Sequence, residues 1–182
     1  MKTFPLLKSK RLRLNKPAVA DIADIMKYAG NSKVAETTLN MPHPYLEEHA
    51  IYWINMANEG FVNRDQFVFA VRLAGSAQLI GGIGLNLESR FDRAEMGYWI
   101  AEPFWGNGYA SEATKAVVKF GFEQLKLNKI YATHFSGNLA SGKVMRNCGM
   151  TKEAELSEHI KKGGKYFDLV QYGLTKNVYT SS

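Results

Sequence analysis

Two glycines lie close together in residues 105–110, which read Trp-Gly-Asn-Gly-Tyr-Ala. Gly106 and Gly108 allow the backbone to turn tightly there, and they leave several NH groups uncovered. A strand-like run, residues 96–101, precedes this segment, and an amphipathic helical pattern follows it. Because the positive end of the helix dipole would point into the same space, the segment is predicted to bind a diphosphate.

A glycine pair at such a junction is only moderately specific, since tight turns use glycines as well. The segment lacks the Gly-Lys-Ser or Gly-Lys-Thr ending of a P-loop, and it lacks the third glycine and the acidic residue of a dinucleotide fingerprint. A second glycine cluster, residues 81–84, lies inside a strand pattern, where a bulge or a close backbone approach explains it better. Nucleotide hydrolysis and dinucleotide binding are therefore disfavoured.

The composition is typical of a soluble globular protein. The chain has 182 residues, of which 46% are hydrophobic and 22% charged. No stretch rich in Pro, Gly or Ser divides it, so one domain spanning residues 1–182 is predicted. No apolar run approaches the roughly 20 residues that cross a bilayer. Residues 1–10 carry charges without an apolar signal core, and we expect a cytoplasmic protein with no membrane partner.

The remaining titratable residues give no sign of a metal site. Cys148 is the only cysteine, which excludes an internal disulfide, and its sequence context favours packing over nucleophilic chemistry. The four histidines lack metal-ligand spacing. The net charge of +6 arises from scattered Lys and Arg and favours an anionic partner, either a polyphosphate cofactor or, with less support, a nucleic acid.

Hydrophobic periodicity predicts a mixed α/β fold with no internal repeat. Strand patterns cover residues 11–14, 67–73, 79–87, 94–101, 129–134, 150–156 and 165–174. Helical patterns cover residues 21–28, 46–59, 109–125 and 138–148. Residues 31–44 are predicted to form a mobile loop, and residues 74–77 and 161–164 are predicted to form hairpin turns.

Three motifs follow one another along the chain. They are Glu-Met-Gly-Tyr-Trp-Ile at residues 95–100, Pro-Phe-Trp-Gly-Asn-Gly-Tyr-Ala at residues 103–110, and Asn-Leu-Ala-Ser at residues 138–141 with Gly149-Met150 beyond it. In this order they resemble the GNAT acyl-CoA N-acyltransferases, and most of all the Rim-type branch, which includes N-terminal acetyltransferases of ribosomal proteins. The resemblance spans nearly the whole chain. It implies the GNAT fold, a central, mostly antiparallel sheet flanked by helices.

The resemblance also implies that acetyl-CoA is the cosubstrate and coenzyme A the product, with no metal. The family's phosphate loop usually begins with Gln or Arg and has Gly at the fourth and Gly or Ala at the sixth position. Here Trp105 takes the first place, while Gly108 and Ala110 take the other two, so the backbone donors are intact. The implied cofactor-binding residues are Trp99, Ile100, Ala101, Trp105, Gly106, Asn107, Gly108, Tyr109, Ala110, Ser111, Asn138, Ser141 and Lys143.

Several of these residues have a structural alternative. The backbone near Trp99 and Ile100 would pair with the pantetheine arm as an extra strand and polarise the thioester carbonyl. Asn138 could reach the amide of that arm, but it could equally cap the helix that follows. Lys143 could meet an outer phosphate or be solvated surface.

Acetyl transfer to an amine requires a base for the amine and a proton for the departing thiolate. Strand alternation places Glu95 on one face with Gly97 and Trp99, and its position in the resemblance matches a general-base glutamate found in some GNAT enzymes. Glu95 would then accept the amine proton, directly or through water. The alternative is that Glu95 pairs with a neighbouring basic residue and only orders its strand.

The proton donor is less clearly marked. Many GNAT enzymes use a tyrosine seven residues after the asparagine, but this chain has Met145 there, and methionine cannot donate a proton. Ser141 is the nearest hydroxyl and could protonate or solvate the thiolate. Alternatively, it bonds back to the preceding helical turn and water supplies the proton.

We therefore expect an acetyl-CoA-dependent N-acetyltransferase that acts without a covalent enzyme intermediate, as a monomer or a homodimer. The acceptor is open between the N-terminal amine of a peptide or ribosomal protein and a small amine such as a polyamine, amino acid or antibiotic. The loop at residues 31–44 and the turn at residues 161–164 are expected to frame it. The alternatives are a non-catalytic acyl-CoA-binding regulatory module, suggested by Met145, and a nucleic-acid-binding domain, supported by net charge alone.

Overall fold

The computed structural model describes residues 3–76 and 78–181, which contain eight strands and six α-helices. The strands are β1 (Leu7–Lys8), β2 (Leu12–Asn15), β3 (Gln66–Leu73), β4 (Leu79–Glu88), β5 (Arg93–Ile100), β6 (Lys129–Phe135), β7 (Thr151–Lys162) and β8 (Lys165–Thr175). The helices are α1 (Ile22–Ala29), α2 (Ser32–Glu36), α3 (Glu47–Asn63), α4 (Tyr109–Glu123), α5 (Leu139–Asn147) and α6 (Lys176–Thr180).

All eight strands belong to one sheet in the order β1-β2-β3-β4-β5-β6-β8-β7. Each neighbouring pair is antiparallel except β5 and β6, which are parallel. The predicted mixed α/β fold with a mostly antiparallel sheet is thereby confirmed.

Helices cover both faces of the sheet, and each face has its own apolar cluster. On one face α4 buries Ala113, Val117 and Phe120 against strand residues such as Phe69 and Ile83. On the other face α1 and α3 bury Ile25 and Ile54 with the partly buried Trp53 and Trp99. This two-faced burial explains why β3 and the first half of β4 are almost continuously apolar. We call these the α4 face and the α3 face.

Three local features differ from the prediction. Residues 31–44 are not entirely loop, because Asn31 caps a short helix, α2, by accepting a hydrogen bond from the Lys33 backbone NH at 2.9 Å. Strand β7 continues to Lys162, since its partner β8 extends with it to a tight turn. The short elements β1 and α6 have too few residues to show a periodic pattern.

The close approach predicted for the second glycine cluster is present. A Cβ at Gly81 would lie 2.3 Å from the Trp99 carbonyl oxygen, and one at Gly82 would lie 2.7 Å from the Trp99 indole nitrogen. Of the predicted turn at residues 74–77, Ala77 lies outside the described residues. None of the helices in the described part of the chain is both long and apolar enough to cross a membrane.

Candidate active site

The sheet opens between β5 and β6. These strands pair only at Arg93 with Lys129, Ala94 with Ile130 and Glu95 with Tyr131, although β5 continues to Ile100 and β6 to Phe135. Beyond the Glu95 pair the described residues of the two strands share no register. The later halves of both strands therefore border a gap that passes through the sheet.

Unpaired backbone groups line this gap. The Ala101 NH donates to the Ile80 carbonyl of β4 at 2.8 Å, and the Trp99 carbonyl also lies on the β4 side. Because backbone groups alternate in direction along a strand, those of Tyr98 and Ile100 face the gap. The Ile100 carbonyl accepts a hydrogen bond from Trp105 Nε1 at 2.6 Å. Of the backbone predicted to pair with a bound arm, that of Ile100 is at the gap and that of Trp99 is turned to β4.

The glycine loop lies where β5 ends and α4 begins. Residues 105–108 are exposed, and Gly106 and Gly108 have φ values of 76° and 77°, in the left-handed region that favours glycine. Gly108 is the N-cap of α4 and supplies no side chain to the first turn. The first NH groups of α4, at Tyr109, Ala110 and Ser111, are thus left for an anion.

A side chain from the other end of the sequence braces this loop. Arg11 donates from Nη1 to the Asn107 carbonyl at 2.9 Å and from Nε to the Glu112 carboxylate at 2.7 Å, and its guanidinium lies 4.6 Å from the Tyr109 ring centroid. Sequence analysis missed Arg11, because 96 positions separate it from Asn107 and no motif links the two.

Glu112 in the first turn of α4 is held by the same contact. Its carboxylate accepts hydrogen bonds from the Ser9 hydroxyl and from the Arg11 backbone NH, both at 2.7 Å, in addition to the guanidinium. Although burial raises the pKa of Glu112, these hydrogen bonds and the Arg11 charge leave it below the ordinary value. The carboxylate is directed to Arg11 and Ser9, which limits its repulsion of an anion at the helix N-terminus.

The start of α5 lies on the α4 face of the gap. Asn138 is the N-cap and accepts from the Ser141 NH at 3.1 Å, as its capping role predicts. The Ser141 hydroxyl lies 2.7 Å from the Tyr98 hydroxyl of β5. Met145, in the place of the family's tyrosine, is 1% exposed and belongs to the core. Lys143 is exposed on α5.

Tyr98 is the second residue that sequence analysis missed. Its hydroxyl also lies 3.1 Å from the Ser141 carbonyl, and burial raises the pKa of this phenol, which keeps it protonated. The available signal was its register: Tyr98 stands one residue from Gly97 and so points to the opposite face from Glu95.

Glu95 lies on the α3 face, beside the first unpaired residues of the gap. It is half-buried, and Thr133 Oγ1 of β6 lies 3.3 Å from its Oε1. Within residues 3–76 and 78–181 no ion pair of Glu95 is found, so the alternative of a purely structural pairing has no basic partner there. The two predicted catalytic side chains, Glu95 and Ser141, thus lie on opposite faces of the sheet at the same gap.

The two segments expected to frame an acceptor do meet. Lys162, at the end of β7, donates from Nζ to the backbone carbonyls of Ala35 and Thr38, and it lies 5.9 Å from the ring centroid of Phe135 in β6. Lys33 and Asn31 both bind the Glu102 carboxylate just beyond β5. These contacts connect the loop at residues 31–44 to both sides of the gap. Among the described residues no group of three or more His, Cys, Asp or Glu side chains could hold a metal ion.

The mostly antiparallel sheet and the glycine loop before α4 fit the GNAT acyl-CoA N-acyltransferase fold that the sequence motifs indicated. The family model of the acetyltransferase (GNAT) domain matches residues 11–151, and the chain belongs to this family and is an N-acetyltransferase.

Known proteins agree over nearly the full length. The chain is 30% identical over 174 residues to the uncharacterized N-acetyltransferase YoaA of Bacillus subtilis, which covers 95% of this chain and 98% of YoaA. A GNAT-family acetyltransferase from Bacillus anthracis superposes with a TM-score of 0.84 at 26% identity, covering 95% and 99% of the two chains.

RimL, a ribosomal L7/L12 α-N-protein acetyltransferase solved with coenzyme A, superposes with a TM-score of 0.85 at 16% identity, covering 94% of this chain and 98% of RimL. At that identity the likeness shows the fold.

Proposed function

We propose that this N-acetyltransferase uses acetyl-CoA and transfers the acetyl group directly to a primary amine, with the N-terminal amine of a peptide or ribosomal protein as the favoured acceptor. The gap between β5 and β6 carries the proposal. It joins an anion-binding helix N-terminus on the α4 face to a half-buried carboxylate, Glu95, on the α3 face.

The α4 face fits the cosubstrate. Backbone NH groups of the loop and the first turn of α4 would bind its diphosphate. The β5 backbone that faces the gap at Tyr98 and Ile100 would bind its arm, with the Ile100 NH as a donor because the Ile100 carbonyl is bonded to Trp105. Asn138 and Lys143 stand at the start of α5 on the same side. The bound thioester supplies the acetyl group and a thiolate leaving group.

Glu95 would act as the general base. It is close to the gap, and within the described part of the chain its Oε1 accepts one long hydrogen bond, from Thr133. The other carboxylate oxygen would take a proton from the amine, directly or through water. The acceptor would therefore approach from the α3 face.

Ser141 would donate a proton to the thiolate or solvate it. Its hydroxyl is hydrogen-bonded to Tyr98, and if Tyr98 donates to Ser141 Oγ, the Ser141 proton is left for the sulfur. Tyr98 would then orient Ser141 in place of the missing helix tyrosine.

One observation favours a peptide N-terminus. The acceptor side is framed by two backbone segments, residues 31–44 and the turn at residues 161–164, which Lys162 joins. The fold alone does not choose the acceptor, because RimL and a spermidine N-acetyltransferase from Vibrio cholerae both share it. A small amine is the second candidate, but neither framing segment carries the acidic cluster expected for a polyamine.

The test is thiol release from acetyl-CoA across a panel of peptides with free N-termini, the same peptides with blocked N-termini, spermidine and free amino acids. Release that requires a free peptide N-terminus supports the proposal. Release with spermidine alone would move the acceptor to small amines. Acetyl-CoA binding without release for any acceptor would instead support a regulatory module.

A further inference from the structure

Gly97 lies in the middle of β5 without any structural reason to be glycine. It is exposed on the α3 face, and a Cβ built on it would meet no described atom within 4 Å. Its φ is not among the positive values of the chain's glycines, and the β4–β5 register runs through it without a shift. Neither backbone conformation nor crowding therefore requires glycine there.

The glycines of the neighbouring strand make a contrast. In β4 a Cβ at Gly81 would lie 2.3 Å from the Trp99 carbonyl oxygen, and one at Gly84 would lie 3.1 Å from the Val68 side chain. Those positions are glycine because a side chain would collide. At Gly97 a side chain would fit, and glycine in a strand interior weakens the strand. The described part of the chain therefore gives no reason for glycine at position 97, and the space above it is open.

The surroundings of Gly97 indicate what would occupy this space. Glu95 and Trp99 flank it on the same face, Gly84 is its cross-strand partner, and the gap between β5 and β6 begins immediately after Glu95. The backbone of Gly97 and Gly84 therefore forms a surface without side chains, which we call the floor. The Glu95 carboxylate lies on one side of it and the Trp99 indole on the other. It lies on the face opposite the helix N-terminus that would hold the diphosphate.

We propose that Gly97 keeps free the space in which the carbon next to the acceptor's amine lies, so that residue 97 determines acceptor specificity. This inference rests on the proposed function. An amine that reaches the gap past Glu95 must bring its first carbon over this floor. A side chain at position 97 would occupy that volume while leaving the α4 face unchanged.

The experiment compares wild type, Gly97→Ala and Gly97→Val. The matched control is Ser89→Thr, which adds one methyl group to an exposed residue in the turn between β4 and β5, before the stretch where β5 pairs with β6. The acceptor is the one that wild type uses best among peptides beginning with Gly, Ala or Ser and spermidine. Each variant is characterised by kcat/KM for that acceptor, by calorimetric Kd for acetyl-CoA, and by thermal melting.

We expect kcat/KM for the acceptor to fall about tenfold in Gly97→Ala and further in Gly97→Val, because added methyl groups in a fitted site have effects of this size. The acetyl-CoA Kd and the melting temperature should not worsen, and Ser89→Thr should match wild type. Unchanged acceptor kinetics would overturn the inference, as would a loss explained by weaker acetyl-CoA binding or by a lower melting temperature. Absence of turnover in wild type would instead refute the proposed function. That outcome is distinguishable from failure of the inference about Gly97, because it does not depend on the variants.

Discussion

The two faces of the gap present different chemical groups. On the α4 face, the groups proposed to bind acetyl-CoA are mostly backbone NH groups, next to hydrogen bonds made by Arg11, Trp105 and Asn138. On the α3 face, the groups beside the gap are the half-buried Glu95 side chain and the exposed backbone of Gly97. Lys162 joins the two segments that are proposed to frame the acceptor there. Every acyl-CoA carries the same diphosphate, which suits recognition by backbone groups. Acceptors vary, which suits recognition by side chains.

The largest effect is expected when the Glu95 carboxylate on the α3 face is removed. Glu95→Gln retains shape but cannot take the amine proton, so kcat should fall about 100-fold or more while acetyl-CoA binding persists. Steady-state kinetics over a pH range measure this, with Glu155→Gln, an exposed residue of β7, as the control. A pH–rate profile identical to that of wild type would remove Glu95 from the mechanism.

The next largest effect is expected when the glycine loop on the α4 face is distorted. Gly108→Ala places a side chain at φ 77°, which costs about 1–2 kcal/mol. The free loop is expected to relax from this conformation, and binding must then restore it, so Kd for acetyl-CoA should rise about 5- to 30-fold. Gly75→Ala carries the same strain at φ 80° in the β3–β4 turn and should leave this Kd unchanged. Equal Kd values for all three proteins would show that the loop does not hold the cofactor.

A smaller effect concerns the hydroxyl pair on the α4 face. Ser141→Ala should lower kcat about tenfold, less than loss of a full general acid because water can supply the proton. Tyr98→Phe should give a similar loss, and the double variant should be no worse than Ser141→Ala, since the two groups act in sequence. Single-turnover rates measure this. Additive losses would indicate that Tyr98 and Ser141 act independently.

The smallest effect concerns Lys162, which joins the loop at residues 31–44 to the end of β7. Lys162→Met removes the hydrogen bonds to the Ala35 and Thr38 carbonyls, so KM for the acceptor should rise about fivefold with kcat little changed. Lys119→Met, on the exposed side of α4, is the control. A change in kcat alone would show that the hairpin affects the chemistry rather than the acceptor's binding.

The same contrast explains how much was predictable from the sequence. Gly106 and Gly108 were identified because backbone recognition requires a local glycine pattern, and the long strands and helices were identified because their periodicity is local. Arg11, Tyr98 and the contact of Lys162 with α2 depend on side chains that tertiary structure brings together over 43 to 127 positions. No spacing rule relates such residues. Glu95 and Ser141 were named from the family resemblance, and their placement on opposite faces needed the structure.

The most direct test of this division measures both substrates in one assay. Acetyl-CoA and the best acceptor are each varied for Gly108→Ala and Lys162→Met. The account predicts a double dissociation, with Gly108→Ala raising KM for acetyl-CoA alone and Lys162→Met raising KM for the acceptor alone. If both variants raise the same KM, the two faces do not bind different substrates, and the account is contradicted.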